Sequence, residues 1–175
     1  MAGALLAALV CGGADAEIEL RFHLVGRESI EARLREYGGN NAERGTKLEQ
    51  MFVEAGCGEH LSRQRANWSR VPNVICVLPG LSDRIIIVGA HFDRVPTSAG
   101  VADNWSGTSL LPSLYEAIRV EPREHTYIFI GFTDEEMGLI GSHYYVRKMT
   151  RQQVASTAAM INLDTLGLAP TEVWR

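Results

Sequence analysis

No stretch of this sequence holds about 18 consecutive apolar residues, so nothing in it reads as a membrane-spanning helix. Basic clusters are missing as well. The 17 Lys and Arg are scattered along a chain of net charge −4, without the concentrated positive face that a nucleic-acid partner requires. Internal repeats, low-complexity tracts and Pro/Gly/Ser linkers are absent from residues 17–175, which leaves one domain. Cysteine is scarce, at three. Cys11 follows Val10, a residue too large for a lipoprotein signal. Cys57 and Cys76 could pair or stay as two buried thiols. What is present is ordinary for a soluble globular protein: 46% apolar and 22% charged residues in a 175-residue chain, long enough for a real core.

The first sixteen residues, MAGALLAALVCGGADA, differ from the rest. A short apolar run, Ala2–Val10, leads to small residues and the step Ala14-Asp15-Ala16. This is the layout of a secretory signal peptide cleaved after Ala16, which would send the chain out of the cell or to the periplasm. It lacks the usual basic start, and an ordinary N-terminal helix is the alternative. Residues 17–175 form the domain.

Apolar residues at helical spacing, Ile30, Leu34 and Tyr37, predict a helix ending at Gly38-Gly39. Asn41 reads as the N-cap of a second helix that carries Leu48, Met51, Phe52 and Ala55 and closes at Gly56. From Val74 onward the pattern changes. NVICVLPG, RIIIVGA, TYIFIGFT and AAMINL are short, β-branched apolar runs, as expected of strands buried on both faces. Helical patterns lie between them: one over Leu110–Ile118, with Pro112 expected near its start, and one from about Met137 to Met149. Strand–helix–strand alternation predicts an α/β fold with a mixed, largely parallel central sheet flanked by helices.

In open α/β sheets ligands bind beyond the carboxyl ends of the strands, and there the acids collect. IIIVGA is followed by His91 and Asp93, which share one side of an extended segment. TYIFIGFT is followed by Asp134, Glu135 and Glu136, AAMINL by Asp164, and Asp103 lies in GVADNWSG. Four segments thus deliver an imidazole or a carboxylate to one sheet edge. Crowded carboxylates repel and call for a cation, and imidazole with carboxylate but no placed thiolate suits zinc or a neighbouring first-row metal. Asp134 could serve only to satisfy backbone N–H groups at a helix start. Trp105 is open between packing and a substrate wall. Arg94 and Thr97 could touch substrate, but nothing requires it. His143 would share a helix face with Glu136 yet stand too far away for the same ion, and His23, His60 and His125 read as solvent-facing.

The motifs GAHFDRV, ADNWSG, DEEMGLIGS and INLDT, in that order, resemble the co-catalytic zinc aminopeptidases of metallopeptidase family twenty-eight, a likeness covering roughly residues 70–168. The resemblance implies two zinc ions: His91 on the first, Asp103 bridging both, Glu136 and Asp164 on the second. It implies Glu135 as general base and Asp93 as the residue that hydrogen-bonds His91 and fixes its tautomer. The reaction implied is hydrolysis of the N-terminal peptide bond of a peptide substrate.

The family also uses a second His far beyond its last Asp ligand, whereas this chain stops eleven residues after Asp164. The resemblance therefore implies a C-terminally incomplete catalytic domain, in which the first ion keeps only His91 and Asp103. Two other classes stay in view. Glutaminyl cyclases, single-zinc acyltransferases, share the ancestry but differ after the bridging Asp, where this chain has Asn104 and Ser106-Gly107. A metal-free, non-catalytic relative would have had metal ligands replaced, whereas every ligand this chain is long enough to contain is in place.

Overall fold

The computed structural model describes residues 23–168, so the expected signal peptide over 1–16 lies outside the described residues. Helix α1 (Arg27–Arg35) precedes α2 (Asn41–Glu54). The cap of α2 is Asn40 rather than Asn41. Its side chain accepts from the N–H groups of Ala42 and Glu43 while the Glu43 carboxylate reaches back to the Asn40 N–H, a reciprocal capping box. Gly56 follows α2 at φ +93°, a left-handed position that glycine adopts without a Cβ penalty.

Five strands follow: β1 (Leu61–Gln64), β2 (Asn73–Leu78), β3 (Ile85–His91), β4 (Thr126–Phe132) and β5 (Thr157–Asn162). They form one mixed sheet of order β1-β2-β4-β3-β5. β3 runs parallel to both β4 and β5, while β1 and β2 pair antiparallel on the other side. Between β3 and β4 lies α3 (Ser106–Arg119), and between β4 and β5 lie α4 (Ile140–Lys148) and α5 (Arg151–Ser156). Two boundaries differ from expectation. Pro112 is the seventh residue of α3, because the helix begins at Ser106, four residues before the apolar run at Leu110. α4 begins three residues after Met137, so Glu136 and His143 do not share a helix.

The strands alternate between two cores. Val74, Cys76, Leu78, Val88 and Phe129 pack under α2 and α3 with Leu48, Phe52, Leu111 and Tyr115. Ile75, Ile87, Ile128, Ile130 and Phe132 pack on the other face with Tyr145 of α4. Covering both faces explains why β2, β3 and β4 read as unbroken apolar runs. β5 departs from that expectation: as the edge strand it leaves Met160 and Ile161 about half exposed. No described helix is long and apolar enough to cross a membrane.

Cys57 and Cys76 are paired in a disulfide that ties the end of α2 to the middle of β2, across a separation of 19 residues. Both are almost fully enclosed. Replacing both with Ala removes a constraint on the unfolded chain and is expected to lower stability by about 3 kcal/mol in urea unfolding.

Candidate metal centre

Three parallel strands end at the same edge, so β3, β4 and β5 deliver their following residues to one place. His91 is the last residue of β3 and is 4% exposed. Its Nε2 faces three carboxylates: Asp103 Oδ1 at 3.0 Å, Glu135 Oε2 at 3.8 Å and Asp164 Oδ1 at 3.8 Å. On its other side Nδ1 stands 3.4 Å from Asp93 Oδ1, without hydrogen-bond geometry to it or to any other group. Burial disfavours the charged imidazole, but Asp93 and then Glu135 and Asp164 more than offset this and raise its pKa to about 9.

His91, Asp103 and Asp164 each offer a donor atom, and these lie within 4.8 Å of one another. Glu136 stands outside that trio. It is close enough to feel it: burial, and then the charge of Asp103, push its carboxyl above the usual range. One imidazole nitrogen among carboxylate oxygens, with no thiolate, is a donor set that fits zinc.

The segments bearing these groups are joined by polar side chains. Asp93, nearly fully buried, accepts from the N–H of Glu135 at 3.0 Å and of Glu136 at 3.1 Å. The sequence left that role open to Asp134, which instead occupies a left-handed conformation just before the pair. Buried Asn73, at the start of β2, accepts from Thr133 N–H at 3.0 Å and donates to Gly141 O at 2.9 Å, gripping both ends of the turn that carries the Glu pair.

Asp103 sits in the wide turn Val101–Trp105, closed by the Trp105 N–H on Gly100 O at 3.0 Å. The Asp103–Asn104 peptide is cis. Asn104 is fully enclosed and links this turn to the Asp164 loop: its Nδ2 donates to Leu163 O at 2.8 Å, and its Oδ1 accepts from Gly107 N–H at 3.0 Å and Thr165 N–H at 3.3 Å. The approach is so close that a Cβ at Gly107 would lie 2.2 Å from Leu163 O.

The remaining expectations resolve simply. Trp105 is packing: it is fully buried and its Nε1–H donates to Arg33 O at 2.9 Å. Arg94 folds back on its own loop, donating to Ser98 O at 2.6 Å. His23, His60 and His143 are exposed and stand apart from the cluster, and His125 is half-buried. The sequence reading missed Arg44, which lies fully buried behind this site. Its place on the apolar stripe of α2, four residues before Leu48, was the available signal.

A cleft of about 200 Å³ opens beside the cluster, walled by Phe132, Leu139 and Met160 with His91, Glu135 and Asp164 at its polar end. Roomier hollows of about 300 and 260 Å³ lie against α1–α2 and β1, but they contain none of the strand-end residues.

A sequence model of peptidase family M28 matches residues 73–173. The chain belongs to peptidase family M28. Aminopeptidase YwaD of Bacillus subtilis (strain 168) is 37% identical over 83 residues, 47% of this chain and 18% of that protein. The structure of BSAP, a zinc aminopeptidase from Bacillus subtilis, aligns at TM-score 0.53 and 33% identity, covering 55% of this chain and 25% of the other. A glutaminyl cyclase from an Acidobacteriales bacterium aligns at TM-score 0.65 over 80% of this chain and 58% of its own, but at 18% identity it speaks for the fold alone. The matching segment spans about a fifth of the length of the curated relatives it matches.

Asn104 makes a stability prediction. Asn104→Ala leaves Leu163 O and the Gly107 and Thr165 N–H groups unpaired, which is expected to cost at least about 2 kcal/mol. Amide exchange should speed up at Gly107 and Thr165 before it does in the sheet.

Proposed function

We propose that this chain carries the zinc site of an aminopeptidase, a hydrolase that releases the N-terminal residue of a peptide. The observation that carries the reading is the convergence of His91, Asp103 and Asp164 on one point, with Glu135 beside them. His91 and Asp103 would hold a first ion, and Asp103, Glu136 and Asp164 a second, as expected for the longer M28 relatives. Bound zinc supplies Lewis acidity, polarising a carbonyl and acidifying water.

The chain's own residues do the rest. Glu135 is the general base. Its carboxylate lines the cleft, partly exposed, where it can take a proton from attacking water and pass it to the leaving amine. Asp93 holds Glu135 and Glu136 in place through their backbone N–H groups and keeps a negative charge behind His91. The apolar wall of Phe132, Leu139 and Met160 offers room for a small side chain beside the reacting group.

An oxidising address, outside the cell or in the periplasm, goes with this reading. The buried disulfide belongs to such a compartment, as does the signal-like segment 1–16.

Hydrolysis of a panel of aminoacyl-p-nitroanilides, with and without added zinc, tests the reading. Zinc-dependent release is expected, and Glu135→Gln should lower it by about 10²–10⁴-fold while zinc binding persists. Undiminished turnover in that variant would remove Glu135 from the mechanism. Among the described residues His91 is the sole imidazole at the cluster, so a zinc titration should saturate below two tightly held ions. Clean two-ion stoichiometry would mean that a further residue completes the first site.

A further inference from the structure

Arg44 lies outside the segment that matches family M28, yet it bonds to the backbone of two segments that carry site residues. It sits on the buried stripe of α2 with Leu48, Met51 and Phe52 and is fully enclosed. Its Nε–H donates to Phe92 O, the carbonyl between His91 and Asp93. Nη2 donates to Gly100 O at 2.9 Å, the carbonyl that also closes the turn bearing Asp103. Nη1 reaches Tyr37 O at 2.7 Å and Ala99 O at 3.4 Å. The guanidinium lies 4.8 Å from the centre of the Trp105 ring.

All of these hydrogen-bond acceptors are carbonyls; no carboxylate is among them. Burying a guanidinium without a paired anion is costly, and an apolar residue could fill the space beside Trp105 without that cost. Burial, with Arg94 adding to it and Asp93 opposing, lowers the pKa of Arg44 to about 10, which still leaves it charged near neutral pH. An apolar residue could not reach two segments at once. A planar fork with donors on three nitrogens can, and Lys presents all its donors from one nitrogen.

We infer that Arg44 is a positioning residue for the metal. By bridging Phe92 O and Gly100 O it joins the end of β3 to the Asp103 turn, and so holds His91 Nε2 and Asp103 Oδ1 at 3.0 Å. The inference rests on the reading of these two residues as zinc ligands. If Arg44 served the core alone, its loss would lower stability and leave the zinc affinity of the folded chain unchanged.

The test compares the chain with Arg44→Lys, Arg44→Met and the core variant Phe52→Leu. Zinc affinity is measured by competition with a chromophoric chelator, and thermal unfolding is followed without metal. Arg44→Met is expected to lose about 10–100-fold in zinc affinity, the usual range for residues that orient ligands. Arg44→Lys keeps the charge and most of the stem; it should recover part of the unfolding midpoint but stay at least about tenfold weaker for zinc. Phe52→Leu should lower the midpoint and leave affinity unchanged. Arg44→Lys decides the matter if Arg44→Met does not fold. Full zinc affinity in Arg44→Lys, with a lowered midpoint, would overturn the inference and leave the zinc reading standing. No zinc binding by the parent chain would overturn both.

Discussion

A buried imidazole faced by carboxylates on both sides is the constraint around which this molecule is arranged. Asp93 lies behind His91, and Asp103, Glu135 and Asp164 lie in front of it, all within 4 Å. Like charges so close drive their segments apart unless a positive charge and a firm backbone hold them. A proton on His91 supplies part of that charge, because the same carboxylates raise its pKa despite burial. A cation among the same oxygens would supply more. The backbone is held by three buried side chains. Asp93 grips the Glu pair, Asn104 grips the Asp164 loop, and Arg44 grips the end of β3 and the start of the turn that bears Asp103.

Labour is divided between the apolar and polar parts of the fold. Two hydrophobic layers fix the strands, and the strand order fixes where they end. Because β3 is parallel to its neighbours on both sides, three chain segments leave the sheet at one edge. Antiparallel β2 starts at that same edge, and its first residue, Asn73, is spent on the turn after β4. Apolar packing brings the loops near one another. Only the polar links set them to within ångströms. The backbone reflects this: all three non-glycine residues with positive φ among those described, Asp134, Leu139 and Thr165, lie in the turn that carries the Glu pair or follow Asp164. Residues held in such sparsely populated conformations gather where surroundings over-determine them.

The same division explains what could be read in the sequence. β2, β3 and β4 were legible because two covered faces leave a continuous apolar signature, and His91 with Asp93 because a two-residue period is a local property. β1 was not, since LSRQ is short and polar. The adjacent asparagines before α2 look alike as caps; only the distance to Glu43 separates them, and it favours Asn40. Arg44 was hidden for a deeper reason. Helical spacing tells which face of α2 is buried, but the carbonyls that Arg44 meets belong to segments about 50 residues later. Nothing local to α2 encodes their position. Asp93 lies beside His91 in the sequence as in the structure, while its bonds to Glu135 and Glu136 depend on how β3 and β4 pair and could not be seen from either strand alone.

Those bonds change how Asp93 acts. A carboxylate behind a metal-binding imidazole is expected to hold the ring nitrogen by a hydrogen bond and so choose its tautomer. Here Oδ1 already accepts the Glu135 N–H at 3.0 Å, while His91 Nδ1 lies 3.4 Å away and outside hydrogen-bond geometry. The two amides neutralise part of the charge on Asp93 and fix its orientation, so its effect on His91 runs through space. That leaves His91 Nδ1 as a buried nitrogen with a negative charge nearby and no other acceptor at hand. Of the two neutral tautomers, the one with its proton on Nδ1 gains from that charge and leaves Nε2 with a free lone pair. Nε2 is the nitrogen turned toward Asp103 and Asp164, so the charge that raises the basicity of the ring also aims its lone pair at the point where the other two donors meet.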